Sequence, residues 1–223
     1  MPRDGVLAFD VNETLLDLRA LDPIFERVFG DASLRPVWFQ TMLQLSFVGG
    51  LTSRYVDFTS AQHAAIRMVA QRVGKALAEA DAEEIVSGMR RLPPHPDVVE
   101  ALGRLSHAGF RMVSLTNSPL DVAQDQLRFA GLTDAFEHII SADEVQQLKP
   151  GPRPYHLVAE RAGVPIEGVR LVAAHTWDVS GALAAGAQAA FVARPGAILS
   201  PIGAQPDIIG RDIAEVADRL IAG

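Results

Sequence analysis

The chain of 223 residues has no cysteine, which excludes disulfide staples and thiolate metal sites and leaves the redox compartment open. It also lacks an excess of positive charge: 20 Lys and Arg against 27 Asp and Glu give a formal charge of −7. Neutralising phosphates needs the opposite, a clustered basic surface, so nucleic acid is not the expected partner. Long apolar runs are missing as well. No segment approaches the span of a bilayer, and no basic stretch leads into an apolar run at the N-terminus, so no membrane is expected and cytoplasmic residence follows by default. Charge blocks, low-complexity tracts and fixed-period repeats are absent too. Instead, 48% of the residues are hydrophobic, enough for a full core in one large domain or in a domain carrying an insertion. A small molecule is the expected partner.

Four segments read as short buried strands: GVLAFD (5–10), FRMVSLTN (110–117), VRLVAAH (169–175) and AQAAFVAR (187–194). Weaker strands are expected at EHIIS (137–141) and DII (207–209). Helical patterns lie between and after them, at 97–109 and 119–131, each ending in a glycine suited to a C-cap, and at 212–223. Strands alternating with helices predict an α/β fold, a doubly wound, Rossmann-like parallel sheet covered on both faces. Residues 17–93 hold helical runs and no convincing strand, and a loop of that length without structure is implausible. They are read as an inserted α-helical domain that returns to the sheet through LPPHP, leaving 1–16 and 94–223 as the core domain. The insertion departs just after the first strand. It is therefore expected over the carboxyl ends of the strands, where open α/β sheets bind ligands and a lid excludes water.

In a parallel sheet all carboxyl ends share one edge. Those ends carry Asp10 and Thr14; Thr116, Asn117 and Ser118; His175, Trp177 and Asp178; Lys149 joins them from LKPGPRPY. Taken singly, each has a bland reading: Asp10 a turn or cap residue, Ser118 an N-cap before Pro119, Lys149 a solvated charge, His175 and Trp177 core packing. Together they form a reactive set. A carboxylate attacks electrophilic carbon or phosphorus to give an ester or acyl phosphate that water later cleaves. A nearby lysine keeps it ionised. Thr116 and Asn117 offer donors to a substrate oxygen or a departing ion, and Asp178 is placed to orient or deprotonate water.

Four motifs in this order, FDVNETLLD, SLTNSP, KPGPRPY and VAAHTWDVSGALAAGA, resemble those of the haloacid dehalogenase superfamily over essentially the whole chain. The resemblance implies that Asp10 is the nucleophile and that 17–93 is a helical cap. Phosphatase members carry a second aspartate two residues after the nucleophile as a general acid. Here Asn12 stands there, and an amide lends no proton. A halide leaves without one. The fourth motif has Ala174 where magnesium-dependent members carry an acid, so no metal and no cofactor are expected, with Mg2+ reserved for the phosphatase alternative. Trp177 followed by Asp178, with Tyr155 after Lys149, is similar to the type II 2-haloacid dehalogenase branch. That likeness implies cleavage of an anionic 2-haloacid through an aspartyl ester. Its roles would be Asp10 nucleophile, Lys149 charge balance and Asp178 water activation; Thr14, Thr116 and Tyr155 polar support; Asn117 halide contact; Trp177 an apolar wall.

Three departures stand out. Phe39 occupies the place of the branch's cap arginine, and Arg35 or Arg54 is the candidate replacement. His175 replaces an asparagine and is the expected source of pH dependence. Glu13 follows Asn12 and would repel an anionic substrate, so it is expected to point outward or pair with a cation. The rival readings are a Mg2+ phosphatase, which predicts a gain on changing Asn12→Asp, and a catalytically silent protein of the same fold. Relatives are often dimers, and Leu43, Leu45, Phe47 and Val48 would support a homodimer face, although such a stripe also suits the segment's own core.

Overall fold

The stretch VLAF forms β1 (Val6–Phe9), and none of its residues reaches solvent, as expected of a strand covered on both faces. The computed structural model describes residues 5–223. After β1 come four helices, α1 (Asp22–Phe29), α2 (Leu34–Leu51), α3 (Phe58–Arg72) and α4 (Glu79–Gly88). The remainder alternates: α5 (Val98–His107), β2 (Arg111–Thr116), α6 (Leu120–Phe129), β3 (His138–Ser141), α7 (Arg153–Ala162), β4 (Val169–Ala173), α8 (Thr176–Ala184), β5 (Gln188–Val192), β6 (Ile208–Gly210) and α9 (Ile213–Ala222). The strands form one parallel sheet in the order β3-β2-β1-β4-β5-β6. The order in which successive strands are added switches sides between β1 and β4, which is the crevice where such folds hold ligands.

Alternation along β1 divides the core. Leu7 and Phe9 face one apolar cluster, while Val6 and Ala8 face a second one with Leu171, Tyr155 and Val158. The first cluster continues from the sheet through Leu21 and Phe25 into Trp38 and Ile66 of the helical segment. Trp38 packs on Phe25 with ring centroids 5.5 Å apart and donates its indole N–H to the Gln62 carbonyl at 3.0 Å. Its helix, α2, buries Trp38, Phe39, Met42, Leu43 and Ser46 along one stripe. That stripe absorbs much of the run read as a dimer face: Leu43 is buried and Leu45 and Phe47 pack against the same core, with Val48 and Leu51 left exposed. No helix among the described residues is long and apolar enough to cross a membrane.

One glycine decides how α8 seats. A Cβ at Gly181 would lie 2.6 Å from both Pro150 Cβ and the Tyr155 hydroxyl, so only glycine lets α8 approach α7 and the turn before it this closely.

Candidate active site

Asp10 begins the loop after β1, and its N–H donates to the Val172 carbonyl of β4 at 3.1 Å, which pins it at the mouth of the crevice. Thr14 turns back one step later. Its hydroxyl donates to Asp10 Oδ2 at 2.6 Å and accepts the Ala174 N–H at 2.9 Å, joining the first loop to the loop after β4. Two further groups hold this loop by its carbonyls: a His95 ring nitrogen bonds the Glu13 oxygen at 3.1 Å, and Arg194 donates to the Thr14 oxygen at 2.9 Å.

Lys149 arrives from the turn before α7, with its side chain wholly buried. Its Nζ donates to Asp10 Oδ1 at 2.9 Å, Asp178 Oδ2 at 2.5 Å and the Leu115 carbonyl at 3.0 Å, which uses all three protons. Asp178 lies in the first turn of α8 and takes a second bond from the Tyr155 hydroxyl at 2.6 Å. His175 closes the group: one ring nitrogen meets Asp10 Oδ2 at 3.1 Å and the other Glu13 Oε2 at 2.9 Å. Two cations and three carboxylates thus share one network, buried except at Glu13, so no charge in it is left without a partner.

The network sets the protonation states. Burial alone would raise the Asp10 carboxyl, but the Lys149 ammonium and the His175 contact outweigh it and hold Asp10 well below the usual carboxylate range. Asp178 goes the other way: burial pushes it up despite Lys149, which makes it the stronger base of the two. Burial also drives the Tyr155 hydroxyl well above its ordinary value, keeping it a donor. Burial would lower His175, yet its bonds to the Asp10 and Glu13 carboxylates raise it to about 10, so it is an imidazolium at neutral pH.

A raised basic group lends stability fully below its unfolded value of 6.5 and loses it as pH climbs through about 10. The thermal midpoint of the protein is therefore expected to fall across that interval. A His175→Gln variant, melted over the same pH range, is expected to show a flatter profile.

The aromatic residues surround this imidazolium. Phe39 of α2 stacks on it with centroids 5.8 Å apart and 21° between planes; Trp177 stacks on the same ring at 5.1 Å and 25°. Trp177 also meets Phe47 edge-on at 5.4 Å, and its indole N–H is buried without an acceptor. A cavity of about 490 Å³ opens against Phe39, His175, Trp177, Glu13 and Arg35. Asp10, Lys149 and Asp178 do not line it: His175 stands between the cavity and Asp10.

Several expected contacts take another form. Asn12 does not face the cavity; its amide donates to Ser118 Oγ at 3.3 Å and accepts from Gln126 at 2.9 Å, so it braces the loop against α6. That bond also gives Ser118 a partner other than its own helix, which it does not cap. Asn117 clamps the Lys149 backbone with both ends of its amide, accepting its N–H at 2.8 Å and donating to its carbonyl at 3.2 Å. Thr116 is buried and accepts the Ser118 N–H at 3.2 Å, ordering the turn after β2. Of the two candidate replacements for the cap arginine, Arg35 lines the cavity one turn before Phe39, whereas Arg54 is exposed beyond α2. Glu13 pairs with cations as expected, His175 at 2.9 Å and Arg35 at 3.6 Å, but faces the cavity to do so. The bracing by His95, Arg194 and Gln126 was not signalled by any motif.

Magnesium does not fit this donor set. The place between the two carboxylates is filled by the Lys149 ammonium, Asp10 Oδ2 is already bonded by Thr14 and His175, and Ala174 offers no third acid. No group of three or more potential ligands among the described residues is arranged to hold a metal.

A sequence model of haloacid dehalogenase-like hydrolases matches residues 5–186. The chain belongs to that family. Among its relatives, the (S)-2-haloacid dehalogenase H-109 of Pseudomonas putida is 29% identical over 223 residues, 99% of each chain. The (S)-2-haloacid dehalogenase of Xanthobacter autotrophicus is 32% identical over 190 residues, covering 84% of this chain and 74% of its own. The structure of L-2-haloacid dehalogenase from Xanthobacter autotrophicus with chloropropionic acid covalently bound superposes with a TM-score of 0.91 at 27% identity, covering 98% of both chains. In this haloacid dehalogenase-like hydrolase the six-stranded parallel sheet expected from the sequence is therefore the family fold.

Proposed function

We propose that the protein is a hydrolytic 2-haloacid dehalogenase working through an ester on Asp10. One observation carries the reading: a buried carboxylate held ionised by Lys149, with a second, more basic carboxylate, Asp178, on the same ammonium. An Asp10 oxygen attacks the carbon next to the substrate carboxylate; the new C–O bond forms as the carbon–halogen bond breaks, and halide departs with the electron pair. No proton is required, which suits Asn12 being turned away to Gln126. Trp177, which lines the cavity, carries an indole N–H without an acceptor.

Esterification removes the charge of Asp10. Lys149 is then left opposite an ester carbonyl, which it polarises, and Asp178 takes a proton from water. The hydroxide adds to the carbonyl carbon, the ester C–O bond breaks, and the departing alkoxide recovers a proton to give a 2-hydroxyacid. The helical segment 17–93 acts as a cap, bringing Phe39 and Phe47 of α2 against His175 and Trp177. It excludes water during the first step.

Incubation with 2-chloropropionate is expected to release chloride without added metal. In one turnover in heavy-oxygen water, mass spectrometry should find the label in the peptide bearing Asp10 and not in the product hydroxyl. Label in the product alone would mean direct attack by water and would rule out the ester.

A further inference from the structure

Glu13 is the feature the proposed reaction does not use. It holds φ at 60°, a left-handed conformation that glycine adopts freely and glutamate rarely does. The loop is fixed there by His95 on the Glu13 carbonyl and by Arg194 on the next one. The result is a carboxylate aimed at the cavity, 2.9 Å from the His175 ring and 3.6 Å from Arg35.

The cavity's cations are all taken. Arg35 also pairs with Asp22 at 2.6 Å, Arg194 with Asp97 at 2.6 Å and Arg19 with Asp17 at 2.6 Å, while His175 is shared by Asp10 and Glu13. An anionic substrate entering here finds no unpaired positive group. Glu13 is the carboxylate shared by Arg35 and by His175, which itself touches Asp10, and it is 34% exposed, accessible to exchange. Asp10 on the same imidazolium is not exchangeable in this way, since Lys149 and Thr14 also hold it.

We propose that Glu13 is a specificity-determining residue, an internal carboxylate that occupies His175 and Arg35 and competes with the carboxylate of the substrate for them. The consequence is selection by charge at the entrance. A monoanionic haloacid must displace Glu13 to be held, while an uncharged halo-amide of the same size need not. This rests on the 2-haloacid reading for the reaction, but not for the binding event, because an unreactive carboxylate meets the same competition.

The test uses Glu13→Gln, which keeps a partner for His175 and removes the charge, and Glu13→Gly, which also relieves the backbone. Binding of propionate, an unreactive probe, is measured by calorimetry on the intact protein, alongside KM for 2-chloropropionate and 2-chloropropionamide. Propionate is expected to bind at least about tenfold more tightly in both variants, with KM for the acid falling in parallel and that for the amide unchanged. Propionate affinity that is unchanged or weaker in both variants, or absent throughout, overturns the proposal even if chloride is released. Tighter propionate binding with no chloride release by any form upholds the role of Glu13 and removes the dehalogenase reading.

Discussion

Asp10→Asn is expected to abolish chloride release, with a loss of about a millionfold, on the scale seen when a nucleophile that acts as part of a unit is removed. The reason lies in the bonds around it. Asparagine keeps the shape and can still accept from Thr14 or Lys149 through its one oxygen, but its amide nitrogen then faces a donor. It has neither the charge nor the lone-pair availability to displace halide. Folding should survive, since Lys149 retains Asp178 and His175 retains Glu13, so circular dichroism would show a native spectrum beside an inert enzyme. Residual chloride release above about a thousandth of the wild-type rate would place the nucleophile elsewhere.

Lys149→Met should be the more damaging change for the protein as a whole. The ammonium is wholly buried and satisfies two carboxylates and a carbonyl, so its loss leaves Asp10 and Asp178 confronting each other without a cation between them. Breaking a buried ion pair from one side costs about 3 to 5 kcal/mol, readable as a lowered denaturation midpoint. Activity is expected to fall about a hundredfold to a thousandfold, the scale of losing a group that stabilises developing charge. The pH profile separates this from a general loss of fold. Asp10 is held low chiefly against burial by Lys149, so without the lysine its carboxyl rises and the acid limb of activity moves to higher pH. An unchanged acid limb would show that Lys149 does not set the state of Asp10. Arginine is not expected to rescue, because a planar fork cannot place donors on three acceptors converging on one nitrogen.

Much of this arrangement was legible in the chain. Strands announced themselves as short apolar runs between turns, and even the weak ones at 137–141 and 207–209 correspond to β3 and β6. The approach of Asp10 and Asp178 followed from parallel strands sharing an edge, while Lys149, on the turn before α7, was added from its own motif. What could not be read was direction. Asn12 and Glu13 are adjacent, yet one turns inward to Gln126 and the other faces the cavity, because a left-handed residue lies between the strand and the next turn. Nor could pairings be read across 82 or 180 residues, such as His95 and Arg194 on the loop carbonyls, since neither residue belongs to a periodic pattern. Phe39 was placed at the site by resemblance alone; that it would lie against an imidazolium depended on His175 being charged, which no local pattern encodes.

The close seat of α8 has a consequence for how this chain can vary. Gly181 touches nothing that reacts, yet a single methyl there would press on Pro150 and on the hydroxyl that steadies Asp178. The helix would have to lift away, and the base at its first turn would lift with it. A position with no chemistry of its own is thereby as constrained as the residues that have it, and drift at this locus is closed to every larger amino acid.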